Sequence, residues 1–252
     1  MSETLICNYR INSKEYTLAD ISFSIKFLFR MIKCSVTACG KINRSAQLKT
    51  SHDGEEFISF GIVIPIADRK GKTKQFEFSV SVNGEKKDIS KYSVGKRASI
   101  NGTLNIVKRN DRLFLNLRAD DVTIVKASEP DAINGSLEFK GKIGKNGVQE
   151  NTDKNGNPYK TFSAFSIDKN GEDAEFTWVQ FLYFRPKEGE DFLQKDTYIE
   201  AVGDLQLGLY KDNLSIECRL TNVSPWELKK QYNLSINNSV SVGCTTYRHT
   251  LI

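Results

Sequence analysis

Apolar and polar residues alternate over ten short stretches of the chain. Because successive side chains of a strand point to opposite faces of a sheet, each stretch predicts a β-strand. The predicted strands lie near residues 32–42, 56–66, 75–83, 97–108 and 112–125, and then near 137–144, 158–168, 174–184, 197–208 and 213–223. Turn sequences with Asp-Gly or Asn-Gly, such as HDGEE and DKNGNP, separate them and supply the positive φ of tight hairpins. The pattern predicts an all-β protein.

The second set of five strands repeats the first at a constant offset of 101 residues. The offset matches similar residues, pairing Gly102 with Gly203, Leu104 with Leu205, Asp111 with Asp212, Leu113 with Leu214, Leu115 with Ile216 and Val122 with Val223. Such agreement indicates a duplicated domain. Five short strands in each copy are typical of a small closed barrel.

The repeat divides the chain into two predicted barrels. The first covers residues 31–128, the second covers 137–228, and the polar segment 129–136 is the predicted linker. Residues 1–30 form an N-terminal extension outside the repeat. Residues 229–252 are rich in Ser, Asn and Thr, and we predict that they form a disordered tail.

Composition narrows the functional classes. Of the 252 residues, 39% are hydrophobic and 27% charged, and no apolar run approaches the roughly 20 residues that cross a bilayer. The five cysteines are scattered without a Cys-x-x-Cys pair, and the histidines are His52 and His249. This pattern favours reduced thiols in the cytoplasm and gives no basis for a disulfide framework, a metal site or another cofactor. We expect a binding protein rather than an enzyme.

One predicted strand is apolar on both faces. In the stretch EFTWVQFLYF, Val179, Phe181 and Tyr183 share the face that we assign to the barrel core. Trp178 and Phe184 lie on the opposite face, where a half-buried strand does not need apolar side chains. Rings on that face are suited to stack with nucleic-acid bases. Trp178 and Phe184 are therefore the first candidates for a binding site.

Spaced aromatic residues in the second repeat form a longer motif. A Trp and a Phe lie six residues apart on the third strand, a Gly ends the fourth strand, and another aromatic follows seven residues later: Trp178, Phe184, Gly203 and Tyr210. With the stretches LEFKGKIG, YKTFSAFSI and DFLQKDTYIEAVGDLQ, this motif resembles the OB-fold of bacterial-type single-stranded DNA-binding proteins. The dipeptide Lys195-Asp196 stands where the family has a Lys-Gly turn. The first repeat shares the resemblance more faintly, through the internal repeat.

The resemblance implies two tandem OB-folds that coat single-stranded DNA without strong sequence preference, in replication, recombination or repair. It also implies a cytoplasmic, nucleoid-associated location. Because the family brings four OB-folds together, it further implies a homodimer of this chain. Cytosolic members end in an acidic, hydrophobic tip that recruits repair and replication enzymes. This chain ends TTYRHTLI, so we do not expect recruitment of repair enzymes by such a tip.

Charge separates the two repeats. Residues 31–128 contain 18 Lys and Arg against 10 Asp and Glu, a net charge of +8. Residues 135–228 contain 11 against 16, a net charge of −5. We hypothesise that the first barrel holds phosphates while the second stacks bases. The candidate site residues are Trp178, Phe184, Tyr210, Gln180, Lys140, Lys142, Lys108, Arg109, Arg112, Lys72 and Lys74.

The repeat offset predicts that the first barrel lacks the stacking rings. It places Glu77 at the position of Trp178, and it matches Asn83 to Phe184 and Arg109 to Tyr210. A slip of one residue would instead pair Phe76 with Trp178. Two other functions remain open. An OB-fold module for protein interaction or assembly would use the rings as an interface, and the acidic second repeat favours this. RNA binding relies on the same stacking chemistry.

Overall fold

The computed structural model describes residues 8–11, 14–17, 31–68, 70–109, 112–170, 173–187 and 189–227. Within the N-terminal extension, β1 (Asn8–Ile11) and β2 (Lys14–Thr17) pair as an antiparallel hairpin. The predicted disordered tail, residues 229–252, lies outside the described residues. Across the described residues, no helix is long and apolar enough to cross a membrane.

Five strands of the first repeat close into a barrel. They are β3 (Ile32–Thr50), β4 (Glu56–Ala67), β5 (Thr73–Asn83), β6 (Arg97–Arg109) and β7 (Arg112–Val125). The pairing runs β3–β4–β5–β7–β6 and returns to β3. The β5–β7 pair is parallel and the other pairs are antiparallel. A short 3₁₀ helix, Lys86–Lys91, lies between β5 and β6.

The second repeat closes in the same way. Its strands are β8 (Ala132–Thr152), β9 (Pro158–Asn170), β10 (Asp173–Phe184), β11 (Tyr198–Tyr210) and β12 (Asn213–Pro225). The pairing runs β8–β9–β10–β12–β11 and returns to β8, again with one parallel pair, β10–β12. This five-stranded, mixed ring is the pairing of an OB-fold barrel. The predicted all-β fold with two tandem barrels is confirmed.

Strand pairing fixes which residues of the two barrels are equivalent. Val63 pairs with Glu77 on β5, and Phe165 pairs with Trp178 on β10. Lys41 and Lys142, one repeat apart, pair with Val63 and Phe165. Glu77 is therefore the structural equivalent of Trp178, as the repeat offset predicts.

Two glycines mark the same β-bulge in each barrel. The register of β6 against β7 shifts between Asn101 and Gly102, and that of β11 against β12 shifts between Val202 and Gly203. At each site a Cβ would overlap the backbone carbonyl oxygen of the facing strand. Only glycine allows the two strands to approach this closely.

Antiparallel pairing of β3 with β8 joins the barrels into one ten-stranded sheet. Ser35 pairs with Ser136, its own equivalent, so the two barrels are related by an approximate two-fold axis at this pair. Residues 132–136 of the predicted linker segment lie in β8. The strand β8 begins at Ala132 because its first residues find backbone partners on β3.

The core of each barrel is filled from alternate strand positions. Phe60, Phe78, Phe139 and Phe181 are among the largest fully buried side chains. The Phe181 ring packs against Phe139 and Phe162, with centroid separations of 5.1 and 5.0 Å. The inward-facing side chains of β10 thus fill the core, and its alternate side chains point away from the core.

Candidate nucleic-acid interface

The outer surface of β9 and β10 carries a group of aromatic rings. We call this surface the aromatic face; its rings are Tyr159, Phe165, Phe176, Trp178 and Phe184. The two faces of β10 differ sharply: Val179, Phe181 and Tyr183 are buried, whereas Trp178 is 50% exposed and Phe184 is 39% exposed. The predicted division of this strand into a core face and an outer face therefore matches the observed burial.

Trp178 lies at the centre of one ring cluster. Phe165 is directly opposite it on β9, with ring centroids 4.9 Å apart, and Phe176 meets Phe165 edge-on at 5.4 Å. The indole also covers Gly144 of β8, where a Cβ would lie 2.9 Å from its Cζ3 atom. The indole is therefore held in place on one side while half of its surface remains open to a ligand.

Phe184 forms a second cluster at the other end of β10. Tyr159 is directly opposite it, and the two rings are stacked with centroids 5.5 Å apart. The guanidinium carbon of Arg219 on β12 lies 5.0 Å from the Phe184 centroid. This is a cation–π contact, and it places a positive charge beside an exposed ring.

The equivalent surface of the first barrel is polar and internally bonded. The Arg44 Nε donates to Glu77 Oε1 at 3.0 Å, and Asn43 Nδ2 donates to the other carboxylate oxygen at 2.9 Å. The guanidinium also donates to Ser79 Oγ at 3.1 Å. Glu77 is therefore held by its neighbours, and the position that Trp178 occupies on the second barrel carries no ring here. The outer surface of β7 carries one exposed ring, Phe114, at 48%.

Tyr210 is 65% exposed and lies at the tip of the β11–β12 hairpin. The Lys211 Nζ sits 5.3 Å from its ring centroid. Because β12 runs parallel to β10, with Glu217 beside Gln180, this tip lies at the Phe176 end of the aromatic face. The structure thus places Trp178 and Phe184 on one surface and Tyr210 at its edge.

Lys72 and Lys74 contact the second barrel rather than open solvent alone. The Lys72 Nζ lies 2.6 Å from the Asp212 carboxylate, and the Lys74 Nζ donates to the Asp212 carbonyl oxygen at 2.8 Å. The hydrogen bond and charge of Lys72 lower the pKa of Asp212, and Asp212 in turn raises the pKa of Lys72. The predicted phosphate-binding lysines of this hairpin therefore join the two barrels.

The two lysines predicted on β8 are also paired with carboxylates. The Lys142 Nζ lies 2.7 Å from Asp196 Oδ1, and the Lys140 Nζ lies 3.3 Å from Glu200 Oε2. The bond to Lys142 lowers the pKa of Asp196. Asp196 itself has a positive φ of 66° at the turn where the family motif has Gly. The carboxylates of both pairs are exposed, so each pair contributes little net stability and a phosphate can compete for the lysine.

The remaining candidates lie on the β6–β7 hairpin of the first barrel. Arg112 is exposed and Lys108 is partly buried. The backbone of Arg109 pairs with Arg112, and its side chain lies outside the described residues. Strand β6 packs against β10 of the second barrel. Strand β6, which leads into this hairpin, therefore lies close to the strand that carries Trp178 and Phe184.

Sequence reasoning missed three rings of the aromatic face, Tyr159, Phe165 and Phe176. The signal was present in the stretch YKTFSAFSI, where Tyr159 and Phe165 fall on one face of a strand. That face was recognisable as the outer one only after the register against β10 was known.

The fold and this surface define a tandem OB-fold protein in which one barrel carries an exposed aromatic face. No protein-family model matches the chain, and no curated protein matches its sequence. Several similar solved structures are single-stranded DNA-binding proteins. One is the wild-type protein from Thermus aquaticus, at 12% identity over 77% of this chain and 93% of that chain, with a TM-score of 0.41.

Two further solved structures resemble a single barrel of the chain. The small single-stranded DNA-binding protein from Streptomyces coelicolor has 15% identity over 38% of this chain and 95% of that chain, with a TM-score of 0.31. The Plasmodium falciparum protein in complex with single-stranded DNA has 16% identity over 37% and 95%, with a TM-score of 0.30. The fold assignment itself rests on the strand pairings described above.

Proposed function

We propose that this protein binds single-stranded DNA, with the aromatic face as the surface on which bases stack. The observation that carries the proposal is the contrast between equivalent positions. Trp178 and Phe184 are exposed rings on the second barrel, whereas Glu77 occupies the Trp178 position on the first and is bound by Arg44. These two rings do not fill the barrel core, and the barrel fold does not require a ring at the Trp178 position, because the first barrel has Glu77 there. They are therefore available to a ligand.

The geometry of the aromatic face suits an unpaired strand. Trp178 and Phe184 lie six residues apart on β10, which corresponds to roughly 20 Å along an extended strand. A chain of several nucleotides spans this distance. Each base stacked on a ring contributes about 1–3 kcal/mol by alanine substitution, and every base has a π-face, so stacking tolerates many sequences.

Phosphates would be held by cations at the margins of this face. Arg219 lies beside Phe184, and Lys142 pairs in register with Phe165. Arg112 and Lys108, on the first barrel, extend the positive surface from the side on which β6 packs against β10. Release of counterions from the phosphates would drive this part of the binding. The first barrel thus supplies mainly charge and the second mainly stacking.

The expected cellular role follows from binding of this type. A protein that coats exposed strands protects them in replication, recombination or repair, and its place is in the cytoplasm beside the nucleoid. We further propose that two chains associate, so that a homodimer carries four OB-folds. Sedimentation equilibrium of the full chain tests this directly: a single species of monomer mass would contradict the dimer without affecting DNA binding.

Tryptophan fluorescence during titration with oligo-dT tests the proposed function. The chain has Trp178 on the aromatic face and Trp226 beside Tyr198, and it has no other tryptophan. We expect saturable quenching that persists in Trp226→Phe and is largely lost in Trp178→Phe. Absence of both quenching and a mobility shift at saturating oligo-dT would reject the proposal.

RNA binding and protein binding are the other outcomes of the same titration. Oligo-rU competing with oligo-dT at equal affinity would extend the ligand class to RNA, because RNA is bound by the same stacking. The net charge of −5 over residues 135–228 favours a protein partner instead. That reading gains support only if no oligonucleotide binds.

A further inference from the structure

A polar pocket of about 200 Å³ opens beside the aromatic face. On β10, Gln180 lies two residues from Trp178 and four from Phe184 on the same outer face, and it pairs directly with Ser163 of β9. The pocket is therefore located between the two ring clusters. Its lining consists of Asn146, Gly147, Gln149, Thr161, Phe162, Ser163 and Gln180.

The chemistry of this pocket is that of neutral donors and acceptors. Three carboxamides and two hydroxyls line it, and none of the lining side chains is charged. Within the part of the chain that the structure describes, the carboxamides of Asn146, Gln149 and Gln180 make no hydrogen bond. Each carboxamide offers one acceptor oxygen and two N–H donors. The pocket thus presents unengaged donor–acceptor pairs next to a stacking surface.

An irregularity in β8 creates the pocket. The register of β8 against β9 breaks between Ile143 and Val148, and Gly147 within the break has a φ of 66°. Residues 144–147 lie within the break, and two of them, Asn146 and Gly147, line the pocket. A left-handed conformation at this position favours glycine, so the pocket depends on a specific local sequence.

In the first barrel Arg44 occupies the equivalent place. There the register of β3 also shifts, but the Arg44 guanidinium crosses to Ser79 Oγ at 3.1 Å and to the Phe60 carbonyl oxygen at 3.4 Å. Ser79 is the equivalent of Gln180. One barrel closes the site with an ion-pair cluster, and the other leaves it open and lined with amides.

We propose that this pocket hydrogen-bonds the edge of one base in a strand stacked on the aromatic face. The inference rests on the proposed function. Unpaired bases present their hydrogen-bonding edges to protein side chains. Each such edge carries an adjacent donor and acceptor, and the carboxamide of a Gln or Asn in the pocket matches that pair. The pocket therefore adds hydrogen bonds to stacking, which by itself needs only the face of the base.

The test compares two fluorescein-labelled strands by anisotropy: oligo-dT, and a strand of the same length in which 2,4-difluorotoluene replaces each thymine. Difluorotoluene keeps the shape and the stacking face of thymine but has no N–H donor and only weak acceptors. We expect oligo-dT to bind at least about fivefold more tightly, at the lower end of the energy typical of a bidentate contact. In Gln180→Leu the two strands should bind with nearly equal affinity.

A matched control is Gln75→Leu, which removes an exposed glutamine from the outer face of the first barrel and should keep the difference between the strands. Equal affinity of the parent protein for both strands, with Trp178 quenching intact, would overturn the pocket assignment and leave the proposed function standing. A difference that survives Gln180→Leu would also overturn it. Failure to bind either strand would instead reject the proposed function itself.

Discussion

Glu77 of β5 and Trp178 of β10 occupy equivalent positions in the two barrels. Glu77 pairs with Val63 of β4, and Trp178 pairs with Phe165 of β9. Glu77 is held by Arg44 and Asn43, whereas Trp178 is half exposed against Phe165. Around them the barrels keep the same strand order, the same parallel pair and the same glycine bulge. The two domains have therefore kept one core and acquired two different outer faces.

Substitutions on the outer face of β10 are expected to weaken DNA binding, and substitutions on its inner face are expected to lower the stability of the fold. Trp178→Ala should weaken oligo-dT binding by about 1–3 kcal/mol because one stacking ring is lost. Its effect on the urea unfolding midpoint should be small, since half of the ring is already in solvent. Phe181→Leu should do the opposite, lowering the free energy of unfolding by about 1–2 kcal/mol through a cavity in the core. Equal effects of both variants on both measurements would contradict the assignment of the faces.

The β6–β7 hairpin is expected to contribute to the salt dependence of binding. In Arg112→Ala or Lys108→Ala, loss of one phosphate contact should make the slope of log K against log salt shallower by about 0.7. The measurement is a series of oligo-dT titrations at increasing NaCl. Lys126→Ala, an exposed lysine near the end of β7, serves as the control and should leave the slope unchanged. Unchanged slopes in all three variants would show that the β6–β7 hairpin of the first barrel does not contact the phosphates.

The contact between Lys72 and Asp212 is expected to make the stability of the protein depend on pH. The folded protein holds the pKa of Asp212 below its usual value of 3.8. The stabilisation is therefore present above that value and is lost as the pH falls through the lowered pKa. Asp212→Asn should unfold at slightly lower urea than the parent protein near pH 7, and the difference should vanish once the pH lies below the lowered pKa.

The control for this measurement is Asp120→Asn, which removes an exposed carboxylate on β7. It should shift the urea midpoint little at either pH. A difference between Asp212→Asn and the parent protein that grows on acidification would show that the sign of the effect is wrong.

Gly203 is expected to tolerate no side chain. In Gly203→Ala the new Cβ would overlap the Arg219 carbonyl oxygen and approach Cys218 Sγ to 2.7 Å, so the strands must separate. We expect a loss of about 2–4 kcal/mol in the free energy of unfolding. Gly208→Ala on the same strand meets only side-chain atoms of Ser215 and Glu217, at 3.1 Å and beyond. Its cost should stay below about 1 kcal/mol, and a similar loss in both variants would contradict the argument.

Much of the fold was predictable because its signals are local and repeated. The two-residue alternation located ten strands, and the constant offset identified Glu77 as the partner position of Trp178. The start of β8 was placed too late because Ala132–Ser136 is a strand only by virtue of its pairing with β3. That partner lies a whole repeat away in the sequence, so no local pattern reveals it.

The site was predictable only in part, for a similar reason. The rings of β10 stood out from the strand itself, but the ring pairs with Phe165 and Tyr159 depend on the register of β9. Lys72 was expected to be a free phosphate ligand, and its bond to Asp212 arises from the packing of one barrel on the other. Contacts between domains cannot be inferred from alternation within a strand.

The self-equivalent pairing of Ser35 with Ser136 has a consequence for specialisation. In a homodimer of single-barrel chains, any substitution would appear in both subunits. The two barrels would therefore gain or lose aromatic rings together. Residues 126–131 tie the two barrels covalently, and each partner can then change alone. Covalent linkage thus allows the two barrels to differ, with a polar cluster around Glu77 in one and aromatic rings around Trp178 in the other. One barrel can then serve as a scaffold while the other retains the binding surface.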